Sequence, residues 1–251
     1  MRLRRIQQKI FAALFWLAIW WLFALLVGQE LLVPQPHFVL ERLWILAGRS
    51  GFYLNILNSL YRISLGFLLG TALGAVLAYL TTANPWIGAT IEPLMSIIRS
   101  TPIASIIIIF LIWFSSNGVV ISCVVLIVLP VMWSNFVAGI EYRDPQLEEV
   151  ASLFAFSRLK RWRYLRLPAI LPFFFAAVQS GLGIAWKAGV AAEVLSIPRH
   201  AIGARLYDAK IYLETTDLFA WTFVVVILSI ILEKSVLATV KRASRYFDWR
   251  K

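Results

Sequence analysis

Val119-Val-Ile-Ser-Cys-Val-Val-Leu-Ile-Val-Leu-Pro-Val-Met-Trp-Ser-Asn-Phe-Val-Ala-Gly-Ile140 runs for 22 residues without one Asp, Glu, Lys, Arg or His. A helix needs about 20 mostly apolar residues to cross the hydrocarbon of a bilayer, so this stretch reads as a membrane span. Pro130 does not argue against it, because neighbours inside a bundle satisfy the carbonyl that proline frees. The only cysteine, Cys123, sits within the run and reads as a small core residue, since free cysteine packs as a hydrophobe.

Similar stretches lie on either side. Phe11–Val27, Leu54–Leu80, Ile91–Phe114, Pro168–Ala192 and Leu218–Val240 bring the expected number of spans to six. The third is broken near Pro102, and Asn84-Pro85 marks the turn before it. The first has a basic start and suggests a signal peptide, but it is too long and lacks a small-x-small site, so it reads as an uncleaved span. Ser115-Ser116-Asn117-Gly118 reads as a tight polar turn, and Gly28–Tyr53 as an outer connection holding a short interfacial helix. Composition agrees: of 251 residues 61% are hydrophobic and 15% charged, with mean hydropathy +0.79. Soluble domains are about half apolar and a quarter charged, so a water-soluble enzyme core and a disordered chain are both excluded. Six spans occupy roughly 120 residues and leave no room for a large extramembrane domain.

The net charge of +11 has a topological reading. With both ends inside, sixteen Lys and Arg fall on the inner side and five on the outer, as the positive-inside rule demands. Contact with phospholipid therefore accounts for the excess, and no nucleic-acid partner is needed. The 11 Trp read as lipid-facing and interfacial rather than as a ligand cage; Tyr246, Phe247 and Trp249 suit an interfacial anchor. His37 and His200 are isolated, so no metal site is expected.

The long hydrophilic segment Glu141–Leu167 lies on the inner side. Within it Leu147, Val150, Ala151 and Phe154 fall at helical spacing, with Asp144-Pro145 ahead of them and Glu148 and Glu149 in the early turns. That pattern is a short amphipathic helix with a cap. Such a helix either docks in a partner's groove or lies on headgroups while Arg158–Arg166 hold anionic lipid.

The same loop resembles the EAA motif of bacterial ABC-importer permeases, which reads Glu-x-Ala, three residues, Gly, then about a dozen residues to Leu-Pro. Glu149 and Ala151 match, Ser157 matches a common small polar position, and Leu167-Pro168 closes the motif. Ala155 stands where the family usually has Gly, which leaves the bend after the helix open. Asn58–Phe67 is similar to the Ser-Leu-x-Arg-x-x-x-Gly-Phe opening of nitrate/sulfonate/taurine-type permeases. Arg99-Ser-Thr-Pro102 and Ala191-Ala-Glu193 with Ile202-Gly203 resemble further segments of that group, with Ala201 in place of a first Gly.

The resemblance implies an all-α polytopic fold with a type I (MetI-like) importer core and a division into 1–53, an N-terminal span with its outer connection, and 54–251, the core carrying the loop 141–167. It implies a transport subunit with no catalytic residues, in the bacterial inner membrane, working as a homodimer. A separate ATPase would bind ATP and Mg and dock on Glu148, Glu149, Ala151, Phe154, Ala155 and Ser157; an extracytoplasmic solute-binding protein would deliver the cargo. No Gly-x-x-x-x-Gly-Lys-Ser/Thr loop occurs in the chain, in keeping with energy supplied by another polypeptide. The cargo implied is a small solute such as a sulfonate, taurine, nitrate or a vitamin precursor.

Ionisable residues in spans usually face a bundle interior or an aqueous path. Arg62, Arg99, Thr101 and Glu193 are accordingly the path candidates, with outward snorkelling as the alternative for Arg62 and a structural role the stronger reading for Lys187 and Glu193. Gly66, Gly70 and Gly74 form a packing ladder, either a dimer seam or an internal contact. Two other classes fit the sequence less well. A membrane enzyme needs a cluster of His, Asp or Glu that is missing here; an ion-coupled secondary transporter needs midspan charge pairs and inverted repeats.

Overall fold

The computed structural model describes residues 2–142 and 144–247. The roles expected of Arg2, Arg5 and Arg143, and of Tyr246, Phe247 and Trp249, fall outside the side chains it describes. The described residues are helical, in the order α1 (Arg2–Val27), α2 (Pro36–Ala47), α3 (Ser50–Ala83), α4 (Pro85–Ser100), α5 (Ile103–Trp113), α6 (Ser116–Glu141), α7 (Pro145–Leu153), α8 (Arg158–Arg161), α9 (Leu167–Ser196), α10 (Ile202–Ile211) and α11 (Thr215–Phe247). A π-helical turn, Trp162–Arg166, joins α8 to α9 without a break. The fold is an all-α polytopic one.

The centre is built from α3, α6 and α9, and small residues set their spacing. A Cβ at Gly66 would lie 2.8 Å from Val124 Cβ, and one at Gly74 would lie 2.7 Å from Met132 Cβ. The ladder is therefore an internal seam between α3 and α6, which settles the choice left open by sequence. Contacts on these two helices rise together in number, so α3 and α6 run parallel. On α9, Gly181 meets Met132 while Gly189 meets Val124, so α9 runs antiparallel to both. Val120, Val124, Val128, Met132, Ala185 and Trp186 fill the space between them.

Parallel α3 and α6 require the chain between them to cross back, and α4 with α5 does so as one broken span. The two halves meet at 104°. The physical cause is Pro102, which forces Thr101 out of the helical region to φ −78°, ψ 127°. The first half starts earlier than expected: Asn84 caps α4 by accepting from the Trp86 amide at 2.9 Å. The expected turn at 115–118 is shorter as well, because Ser115 is the cap and α6 already begins at Ser116. Six crossings result, with α7 on one side of the membrane and α10 on the other.

The periphery is lighter. Trp20 of α1 stacks between Phe219 and Phe223 of α11, with ring centroids 5.9 and 5.6 Å away. From Phe11 to Leu26 most of α1 is exposed and apolar, including Phe11, Leu14, Leu22 and Leu25, with Ala24 buried; that is the surface lipid tails favour. Cys123 is fully buried. The tryptophans divide between both roles: Trp44 and Trp86 are exposed, while Trp186 and Trp221 are core.

Candidate functional site

Three groups of residues carry the chemistry, one at each side of the membrane and one at its middle.

On the α7 side, Asp144 caps α7 by accepting from the Gln146 amide at 3.0 Å, satisfying one of the amides a helix start leaves free. The helix ends in a Schellman motif. Phe156 N–H donates to Ala151 O at 2.9 Å and Ala155 N–H to Ser152 O at 3.1 Å, the paired closing bonds of that motif. Ala155 itself has φ +47°, the left-handed conformation glycine takes without penalty. The bend left in question by Ala155 is thus kept, with alanine bearing the strain. Ser157 then caps α8, its Oγ accepting from the Lys160 amide at 3.4 Å, and Arg161 reaches back to Glu148 at 3.5 Å.

Of the coupling candidates, only Ala151 is buried; it seats the helix. Glu149, Ala155 and Ser157 are exposed and Glu148 is half-buried. Phe154 is 73% exposed, and Leu147, Val150 and Leu153 are exposed beside it. None of the described residues covers this apolar face.

At mid-membrane, the break between α4 and α5 presents Arg99 and Ser100 as exposed and Thr101 as half-buried. The Arg99 guanidinium donates to Pro130 O at 2.8 Å, a carbonyl near the middle of α6. Thr101 Oγ1 turns back onto Ile97 O at 2.7 Å. Polar groups at this depth do not face lipid at low cost.

On the α10 side, Arg62 and Glu193 are brought together from α3 and α9. Arg62 Nη2 lies 3.1 Å from Glu193 Oε1, with side chains 5% and 0% exposed. Arg62 Nε donates to the same oxygen at 3.2 Å. The guanidinium also donates to Asn117 Oδ1 at 3.1 Å, His200 O at 2.8 Å and Arg199 O at 3.4 Å. The other carboxylate oxygen accepts from Ser59 Oγ at 2.7 Å and Gly203 N at 3.1 Å, and Ser59 Oγ accepts from Ile202 N at 2.9 Å. Arg62 does not snorkel; it is enclosed.

This network fixes the link Ile197–Ala201 and the start of α10 against α3, α6 and α9. Gly203 is required there, since a Cβ would stand 2.3 Å from Glu193 Cβ. Ala201, in the position of the missing glycine, has φ −137°, which any residue adopts. Sequence reading named Arg62 and Glu193 separately and missed their pairing and the roles of Ser59 and Asn117. The signal available was the i, i+3 spacing of Ser59 and Arg62 on one helix face. Among the described residues no group of three or more His, Cys, Asp or Glu is placed to hold a metal.

Comparison with known proteins agrees with this architecture. Residues 66–244 match the family described as "Binding-protein-dependent transport system inner membrane component". The putative aliphatic sulfonates transport permease protein SsuC of Bacillus subtilis (strain 168) is 32% identical over 180 residues, which are 70% of this chain and 63% of that protein. The taurine transport system permease protein TauC of Escherichia coli (strain K12) is 26% identical over 234 residues, 90% of this chain and 84% of that protein. The crystal structure of a bacterial ABC transporter that imports the acidic polysaccharide alginate contains a chain of the same fold, with TM-score 0.62, 18% identity, and coverage of 96% of this chain and 99% of that one. A capped, uncovered helix between the fourth and fifth spans, a broken third span and a family match across the core point one way: the chain belongs to the inner-membrane permeases of binding-protein-dependent ABC importers, of the type that the sulfonate and taurine permeases represent.

Proposed function

We propose that the chain forms, with a second copy of itself, the membrane path of an importer for a small anion. In this reading the α7 side is cytoplasmic, as the distribution of Lys and Arg favours, and both termini lie there. A separate ATPase, holding ATP and Mg, docks on α7 through Leu147, Glu149, Val150 and Phe154, with Glu148, Ala151, Ala155 and Ser157 fixing the shape presented. A solute-binding protein delivers the cargo on the α10 side. Residues 54–251 are the transporting core, and 1–53 flank it. Arg99 and Thr101 line the path at the break in the third span. Arg62 and Glu193 act on its outer end through the segment they hold in place.

The observation that carries this reading is α7: a helix closed at both ends by hydrogen bonds, with an apolar face that none of the described residues covers. The relatives' named cargoes, aliphatic sulfonates and taurine, favour an anion or zwitterion. The test is affinity purification of the tagged chain from its native membrane in mild detergent. An ATPase is expected at equal stoichiometry and is expected to be lost when Glu149 and Phe154 are replaced by alanine. Recovery of the folded chain alone would return the reading to an ion-coupled secondary transporter.

A further inference from the structure

We infer that one face of α9 is the wall of the solute path and that Lys187 is the group on it that attracts the anion. This rests on the permease reading above and adds a residue and a charge to it.

The depth of Lys187 follows from its neighbours. Gly189 lies level with Val124 and Gly181 level with Met132, so Lys187 stands between those levels, inside the apolar stretch of α6. It is six residues, about 9 Å along the helix, below Glu193. Although Glu193 is buried, Lys187 is exposed, because six residues turn the helix to another face. Among the described residues no carboxylate lies within ion-pair distance of it.

The face around it is unsuited to lipid. Gln179 and Ser180 are exposed there about two turns below, Gly183 is half-buried between, and Glu233 of α11 approaches Gly183, 3.4 Å from where a Cβ would stand. Glu233 is itself exposed. The contrast with α1 is sharp, since the exposed residues of α1 within the membrane are apolar throughout. An ammonium and an amide at this depth are stable only beside water or another polar wall. α5 packs on α9, so the break that exposes Arg99 and this stripe belong to neighbouring helices. In a two-fold pair each path receives two copies of Lys187, and the field there is positive over the upper half of the membrane.

The test needs no knowledge of the cargo. The assembled transporter is placed in liposomes with Cys123→Ala and Ile184→Cys; Ile184 is 43% exposed on the same face and one turn from Lys187. Its reaction is timed with two methanethiosulfonates, the anionic 2-sulfonatoethyl and the cationic 2-trimethylammonioethyl reagent. Both are expected to react, the anionic one faster than its reactivity in water predicts. Lys187→Gln is expected to lower the anionic-to-cationic ratio about tenfold, the effect of a unit charge about 6 Å away in water acting with opposite sign on two reagents. Lys187→Arg should keep the ratio, and Gln179→Cys in place of Ile184→Cys should show the same sign with a smaller change. Three results overturn the inference. The first is no reaction with either reagent, which means lipid or protein covers the face and Lys187 snorkels. The second is a ratio that ignores Lys187→Gln. The third is a disulfide-linked dimer from the double variant Lys187→Cys, Glu233→Cys that neither single variant gives, which means the ammonium is spent on a carboxylate across the dimer. Each of these leaves recovery of the ATPase on α7 untouched, so the permease reading stands or falls separately.

Discussion

Replacing Glu193 with alanine should unfold the α10 end of the molecule rather than only slow transport. The carboxylate is fully enclosed and accepts from Arg62 twice, from Ser59 and from the Gly203 amide. Without it the Arg62 guanidinium stays charged and 5% exposed, facing one amide oxygen and two carbonyls. Removing one member of a buried ion pair costs about 3–5 kcal/mol, because the survivor is an uncompensated charge. For a chain of this size that corresponds to a fall in midpoint on the order of 10 °C. Arg62→Ala should cost a similar amount by stranding the carboxylate. The double variant should cost clearly less than the two singles together, since the orphan charge is gone, yet remain below the parent because Ser59 and the Gly203 amide have lost an acceptor, at about 1–3 kcal/mol. The assay is thermal unfolding of the purified chain in detergent, read from tryptophan fluorescence, for all four members of the cycle. Singles that lose less than about 2 °C, or losses that simply add, would refute the argument and return both side chains to an open path.

The other expectations are local and cheap to check. Ala155→Gly should leave ATPase recovery intact and raise the melting midpoint slightly, because a left-handed alanine costs roughly 1–2 kcal/mol that glycine avoids; Ala155→Pro, which cannot adopt φ +47° and lacks the N–H given to Ser152, should abolish recovery. Phe154→Ala should uncouple ATP hydrolysis from uptake in liposomes while leaving thermal unfolding unchanged, since the ring touches little within the protomer. Gly74→Val should lower the midpoint and the yield of folded chain, because the added carbons fall within 2.7 Å of Met132 Cβ and overpacking costs about 1–3 kcal/mol. Gly203→Ala should reproduce much of the Glu193→Ala loss without changing any charge.

The spans were legible in the sequence because each is a long apolar run whose length alone fits a bilayer. So was α7, where Asp144-Pro145 starts a helix and Leu147, Val150 and Phe154 mark one face. Pro102 announced the break in the third span for the same reason, a steric rule confined to two adjacent residues. What stayed hidden depends on distance or on competition. The pairing of Arg62 with Glu193 joins residues 131 apart, and no pattern along one helix reports a partner on another. The left-handed Ala155 could not be read from propensity, since alanine alone favours continuing the helix; two closing hydrogen bonds and Ser157, the cap of the next helix, outweigh that preference. Helix α10 was masked by its short length and mixed polarity, because its buried side, Ile202, Gly203, Ala204 and Ala209, is small rather than strongly apolar.

These features place α9 at the mechanical centre of the proposed transporter. One end continues through Trp162–Arg166 and α8 to within four residues of α7, and the contact of Arg161 with Glu148 ties the two helices again. The other end carries Glu193 and so holds α10 and the neighbouring parts of α3 and α6. Between them Gly181 and Gly189 bring the backbone of α9 close to Met132 and Ile63. Interfaces packed that closely do not slide by small amounts, because interiors are as dense as molecular crystals. A displacement of α7 by a docked ATPase is therefore passed to α3, α6, α9 and α10 as one body, with no separate hinge inside the core. The bent pair α4–α5 is held to that body through each of its halves: α4 by Arg99 on the Pro130 carbonyl and by Met95 with Ala78, Leu129 and Trp133, and α5 by Ile106 and Ile107, which are buried in the main core. In the proposed transporter the stretch of the path with the least packing around it is then the break Arg99–Pro102, largely exposed between two packed halves, the second of which, α5, lies against α9.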